Sequence, residues 1–168
     1  MTTIAAKIED GKITIGADSR VTLGTARVDH NYECDKMFET GNMVIASTGS
    51  VSETAMLKEY CRDHGTGEAP DSTKMTQFFI EFLKWYKERT EENSLNNTYI
   101  IAHKAGLFET EGIVAYKVKD FCAAGSGGHF AYTSLYLNNT VEKSIEIATE
   151  LDAFSEGPII LKEVELDD

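Results

Sequence analysis

A threonine stands directly after the initiator in Met1-Thr2-Thr3-Ile4-Ala5-Ala6. With Met1 removed, that residue carries a hydroxyl and a free α-amine together. A Ser or Thr hydroxyl is a weak nucleophile until a base sits beside it, and the residue's own α-amine can be that base. Such an amine titrates at about 7.7–8.0 when unperturbed, so a substantial share of it is neutral near pH 7 and can accept a proton. Initiator methionines are trimmed when the next residue is small, and threonine qualifies. A Met-Thr start is common in proteins of every kind, so its meaning depends on the rest of the chain.

Three further segments carry residues that could complete such a site. One is Gly16-Ala17-Asp18-Ser19-Arg20-Val21-Thr22; another is Asp35-Lys36-Met37-Phe38, leading on to Ser47-Thr48-Gly49-Ser50. The third is Gly125-Ser126-Gly127-Gly128, with Asp152-Ala153-Phe154-Ser155-Glu156-Gly157 further on. Each residue also has a commonplace reading. Asp18 after a strand can be a turn former, and Lys36 a solvated edge residue. Ser126 can cap the helix that starts near Gly128. Asp152 and Ser155 can be ordinary loop residues where a helix ends. Cys34, Cys61 and Cys122 are odd in number and far apart, with no C-x-x-C pair. They point to a reducing compartment, the cytoplasm. His30, His64, His103 and His129 show no metal-ligand spacing.

The elements that must position these residues are legible from their patterns. Ile4 to Ile8 and Ile13 to Ala17 read as strands across an Asp10-Gly11 turn, a strong hairpin signal. Residues 36–40 and 43–47 form a second hairpin around Gly41-Asn42. From Val51 to His64 the pattern is helical. Asp71 or Ser72 caps a further helix, whose Met75, Phe78, Phe79, Phe82, Leu83 and Tyr86 fall on one stripe and read as core. Glu81, Lys84, Lys87 and Glu88 take its solvated face. Residues 97–103, 107–110, 112–118 and 120–124 read as strands. Helices come next through Phe130, Ala131, Leu135 and Tyr136, then from a Thr140 cap through Val141, Ile145, Ile147 and Ala148. Pro158 to Val164 is a last strand. Strand runs alternating with helix pairs predict an α+β fold with antiparallel sheets.

Composition narrows the function. The chain has 168 residues, 42% hydrophobic and 26% charged, with no linker or internal repeat, so a single domain over 1–168 is expected. A net charge of −12 argues against nucleic acid and against an anionic membrane as partner. There is no signal peptide pattern and no apolar run long enough to span a membrane. Neither a metal nor an organic cofactor is suggested.

Taken together and in order, the N-terminal Thr, the A-D-S-R-V-T stretch, the Lys opening the second hairpin, the T-G turn and the G-S-G-G before a helix resemble the proteasome β-type subunits. That group includes the bacterial HslV peptidase, and all are N-terminal-nucleophile hydrolases. The resemblance runs almost end to end. The compact length and the stretch from Gly125 to Thr140 lean toward HslV; Asp152 to Gly157 leans toward the proteasome β-subunit. It implies a four-layer αββα sandwich, two antiparallel sheets flanked by helix pairs. It implies a threonine-type endopeptidase that assembles with itself into rings, stacked and enclosing the active sites. The same likeness implies an ATP-dependent unfoldase as partner and unfolded protein or peptide as substrate. An amidase acting on a small amide, or a catalytically inactive ring or scaffold subunit, would share the fold.

Carried over to this sequence, the resemblance makes Thr2 the nucleophile and base. Lys36 is the cation beside it and Asp18 the partner of Lys36. Ser126, Asp152 and Ser155 orient the Thr2 amine. Gly49, with Ser50 and Thr22, lies around the oxyanion and substrate, and Met43, Val44 and Ser47 join the first pocket. A strict count from Thr2 puts Cys34 at the family's lysine position. The segment from Gly24 to Lys36 is a little longer than the family's, and the apolar pair Met37-Phe38 selects Lys36. Ser50 and Glu156 stand where the family tends to have glycine.

Overall fold

The computed structural model describes residues 2–23, 26–28, 34–67 and 71–167. Met1, His30 and most of the 24–33 stretch therefore lie outside the described residues. Strands β1 (Thr3–Glu9) and β2 (Lys12–Ala17) form the first hairpin, closed by Asp10 and Gly11 with φ of 52° and 76°. Two left-handed residues in a two-residue loop match the right-handed twist of the flanking strands. A short ribbon comes next, β3 (Thr22–Leu23) and β4 (Ala26–Arg27). After it come β5 (Met37–Thr40), β6 (Met43–Thr48), α1 (Val51–His64) and α2 (Ser72–Lys87). The chain continues through β7 (Thr98–His103), β8 (Gly106–Glu111), β9 (Val114–Val118) and β10 (Phe121–Gly125), then α3 (Gly128–Tyr136), α4 (Val141–Leu151) and β11 (Ile160–Glu165).

Two antiparallel sheets result, one ordered β10-β1-β2-β11 and the other β5-β6-β7-β8-β9. Three apolar layers hold them. Ile4, Ala6, Ile13 and Ile15 meet Val44, Ala46, Ile100 and Ala102 between the sheets. On the outside of the second sheet, Ile45, Tyr99, Ile101 and Phe108 pack against Leu57, Met75, Phe79 and Phe82 of α1 and α2. On the outside of the first sheet, Ala5 packs against Ala131, Leu135, Val141, Ile145 and Ala148 of α3 and α4. Alternate side chains of a strand point to opposite faces, so consecutive Ile4, Ala5 and Ala6 serve two different layers. This is the αββα sandwich expected. The α2 stripe is as expected, with Trp85 added to the buried set and Leu83 only half-buried.

The caps are also as expected: Asp71 accepts from the Lys74 N–H at 2.8 Å, and Thr140 from the Lys143 N–H at 3.2 Å. Gly127 rather than Ser126 is the N-cap residue of α3, and no side chain caps that helix. The hydroxyl of Ser126 is thus available for another use.

Candidate active site

Residue 2 enters β1 where that strand meets the ends of β2 and β10. Thr3 pairs with Gly125 of β10, and the Asp18 N–H donates to the Thr3 carbonyl at 3.0 Å just beyond β2. Gly125 sits at φ +97°, and a Cβ there would lie 1.8 Å from the Thr2 carbonyl oxygen. Only glycine lets β10 approach the start of β1 this closely. Thr2 is 4% exposed and lines a cavity together with Val21, Thr22, Cys34, Lys36, Ser47 and Gly49.

Lys36 is 8% exposed, which removes the solvated-edge reading; its Nζ donates to Asp18 Oδ1 at 2.8 Å. Asp18 is fully buried. Oδ1 also accepts from the Thr3 N–H at 2.8 Å, while Oδ2 accepts from the N–H groups of Arg20 at 3.2 Å and Glu156 at 3.1 Å. A buried carboxylate needs such partners to offset its lost hydration. One carboxylate therefore joins the start of β1, the turn after β2, the segment before β5 and the loop after α4. Cys34, the alternative by residue count, lies in the cavity wall, while Lys36 makes the ion pair.

Behind the Thr2 backbone is a second cluster. Ser126 Oγ and Ser155 Oγ both donate to Asp152 Oδ2 at 2.6 Å, and the Phe154 N–H reaches Oδ1 at 3.3 Å. Burial pushes the Asp152 carboxyl up, but these hydrogen bonds outweigh it and hold the group below its ordinary value. Ser155 gives its one proton to Asp152, so in its 2.7 Å contact with Thr3 Oγ1 the threonine is the donor. Ser126 Oγ also lies 3.5 Å from the Thr2 carbonyl oxygen. The three residues expected together are together, tied to the backbone and side chains of the first strand's start.

Gly49 (φ +125°) lines the cavity, and so does Thr22. Ser50 does not: it is the N-cap of α1, its hydroxyl 3.5 Å from the Glu53 N–H. Met43 and Val44 are not in the cavity wall either; Met43 packs under α1 and α2, and Val44 lies between the sheets. A strand rises about 3.3 Å per residue, so Ser47 reaches the site at the end of β6 while residues 43 and 44 lie roughly 10 Å or more behind. Glu156, in a position where glycine was expected, directs its carboxylate to Arg27 Nη1 at 2.7 Å. Sequence reasoning did not single out Thr3, Glu53 or Asn97. For Thr3 and Asn97 the available signal was polarity next to a strand end, and for Glu53 its place in the first turn of a helix.

No family model matches the chain. Curated relatives do. The ATP-dependent protease subunit HslV of Treponema denticola is 25% identical over 174 residues, spanning 97% of this chain and 96% of that protein. The subunit of the same name from a Sulfurihydrogenibium species is 26% identical over 175 residues, spanning 98% and 97%. The chain is HslV-like from end to end. Solved structures agree on the fold. BPH of Thiobacillus denitrificans, in complex with epoxomicin, superposes with a TM-score of 0.91 at 21% identity, covering 99% of this chain and 100% of that one. Eukaryotic HslV from Trypanosoma brucei gives 0.75 at 23% identity, covering 98% and 99%. The chain thus shares the αββα sandwich fold of these structures, as its residue order implied. Among the described residues no helix is long and apolar enough to cross a membrane.

Proposed function

We propose that this chain is a threonine-type endopeptidase that assembles with itself into stacked rings and cleaves unfolded protein, with Thr2 freed by loss of Met1. The observation that carries the reading is the convergence of Thr2, Lys36 and Gly49 on one cavity, with Lys36 fixed by a fully buried Asp18. The α-amine of Thr2 takes the hydroxyl proton as Oγ1 attacks a peptide carbonyl. The Lys36 cation stabilises the negative charge developing on Oγ1 and lowers the proton affinity of the amine. The tetrahedral oxyanion forms against the Gly49 N–H, where a fixed donor contributes most. Collapse returns the proton to the leaving amine and leaves an ester on Thr2, which water then hydrolyses. Ser126, Asp152 and Ser155, clustered beside Thr2 and Thr3, orient the Thr2 amine, and Thr22 lines the substrate side of the cavity.

The relatives named as ATP-dependent protease subunits support an ATP-driven unfoldase as partner. The composition supports a cytoplasmic setting. Intact mass after incubation with a peptide epoxyketone tests the chemistry, because that warhead closes a ring on both the hydroxyl and the amine of an N-terminal threonine. The expected spectrum shows Met1 lost and one adduct gained, with the adduct absent in Thr2→Ala. Met1 retained with no adduct would favour an inactive ring or scaffold subunit. Met1 lost without an adduct, in a monomer or dimer, would favour an amidase.

A further inference from the structure

Glu53 in the first turn of α1 is 1% exposed, and among the described residues no cation pairs with it. Ser50-Val51-Ser52-Glu53 has the spacing of a capping box, in which the glutamate would return to the N-cap N–H. Here Glu53 turns away instead. Its Oε1 accepts from the Asn97 N–H at 3.1 Å and the Tyr99 hydroxyl at 2.8 Å, and its Oε2 accepts from the Asn96 N–H at 2.9 Å. A buried carboxylate would be costly without these three donors. They pin the chain entering β7.

Asn97, 2% exposed, takes the role the glutamate leaves. Its Oδ1 accepts from the Ser50 N–H at 2.6 Å, and its Nδ2 donates to the Ser50 carbonyl at 2.8 Å and to Thr54 Oγ1 at 3.1 Å. The side-chain amide thus pairs with both backbone groups of the residue after Gly49. A Cβ on Gly49 would lie 2.2 Å from Asn97 Oδ1, so the amide sits directly against that glycine. The Ser50 N–H is used up by Asn97, while Gly49 lines the cavity with Thr2.

The geometry points to Glu53 and Asn97 as positioning residues that aim the Gly49 N–H at the reacting carbonyl. This rests on the peptidase reading above. An oxyanion donor acts only when held at the place where charge develops, and losing one donor of this kind costs about 10²–10³ in kcat. Displacing it rather than removing it should cost less.

The test compares kcat and KM on a fluorogenic peptide for the full-length protein and its Asn97→Ala, Asn97→Asp and Tyr99→Phe variants. Asn97→Ala is expected to lower kcat roughly 10–100-fold with KM within about threefold. Asn97→Asp, which keeps the acceptor for the Ser50 N–H, should regain part of that loss. Tyr99→Phe removes one of three donors to Glu53 without opening the core, and should lower kcat severalfold. It keeps the test decisive if Asn97→Ala fails to fold. Epoxyketone stoichiometry separates the two levels. Wild type that turns over peptide, beside a folded Tyr99→Phe variant, and Asn97→Ala where it folds, with kcat within twofold of it, overturns the positioning role alone. Wild type that neither turns over peptide nor takes the adduct overturns the peptidase reading and this inference with it.

Discussion

Asp18 and Lys36 are the residues on which the site turns, and the buried pair sets what their replacement does. Breaking a buried pair by removing one partner costs about 3–5 kcal/mol, because it strands the other charge. Asp18 keeps three backbone donors when Lys36 is lost. Lys36→Met is therefore expected near the lower end of that range in denaturant unfolding, with peptide turnover lost. Asp18→Ala takes the acceptor from those three buried backbone N–H groups as well as breaking the ion pair, and should cost more. The thiols separate as sharply. Burial drives Cys61 up to about 12 and Cys122 well above its ordinary value, while Cys34 is half-buried in the cavity wall. Iodoacetamide at pH 8 should label Cys34 alone in the folded chain and all three thiols once it is unfolded, as read by intact mass. Prior occupation of the cavity by a peptide inhibitor should slow the labelling of Cys34.

At the scale of elements, the site is a junction of ends. The start of β1, the ends of β2, β6 and β10, and the loop after α4 all arrive within hydrogen-bonding reach of one another. Gly125→Ala would need both a strained φ, on the order of 1–3 kcal/mol, and retreat from the Thr2 carbonyl 1.8 Å from the new Cβ. Activity should fall further than stability, since the displaced atom belongs to Thr2, the proposed nucleophile. The loop after α4 depends on ionisation. Asp152 has a folded value below its ordinary one, so its contribution is full above the unfolded value, about 3.9. That contribution is lost as pH falls through the folded value. Asp152→Asn should therefore destabilise the protein at pH 7, and the gap to wild type should narrow as both are titrated toward pH 3 in urea unfolding. A gap that widens toward acid would contradict the sign.

On the scale of the whole molecule, two sheets between two helix pairs give three apolar layers, and the site lies at one end where the sheets' strands stop. The proposed assembly predicts a particle many times the 18.6 kDa of the chain in sedimentation. Peptide turnover is expected in that fraction, and a chain that stays monomeric while active would contradict self-compartmentalisation.

The residues themselves determined the elements and their order. The hairpin at Asp10-Gly11, the caps Asp71 and Thr140 and the aromatic stripe of α2 are local signals, each set by periodicity or turn chemistry within a few residues. The motifs around Thr2, Asp18, Lys36 and Gly125 were legible for the same reason, as short runs in a given order. What only the tertiary structure decided is long-range. Lys36 rather than Cys34 reaches Asp18 because the backbone before β5 presents it there, which no residue count reveals. Glu53 was diverted from its cap to Asn96, Asn97 and Tyr99, where the chain enters β7. Ser50 lost its place in the pocket to the amide of Asn97. Polar side chains buried between elements take whichever donor or acceptor the packing brings, since leaving one unpaired costs more than any local preference. Those partners have no signature in the sequence near them.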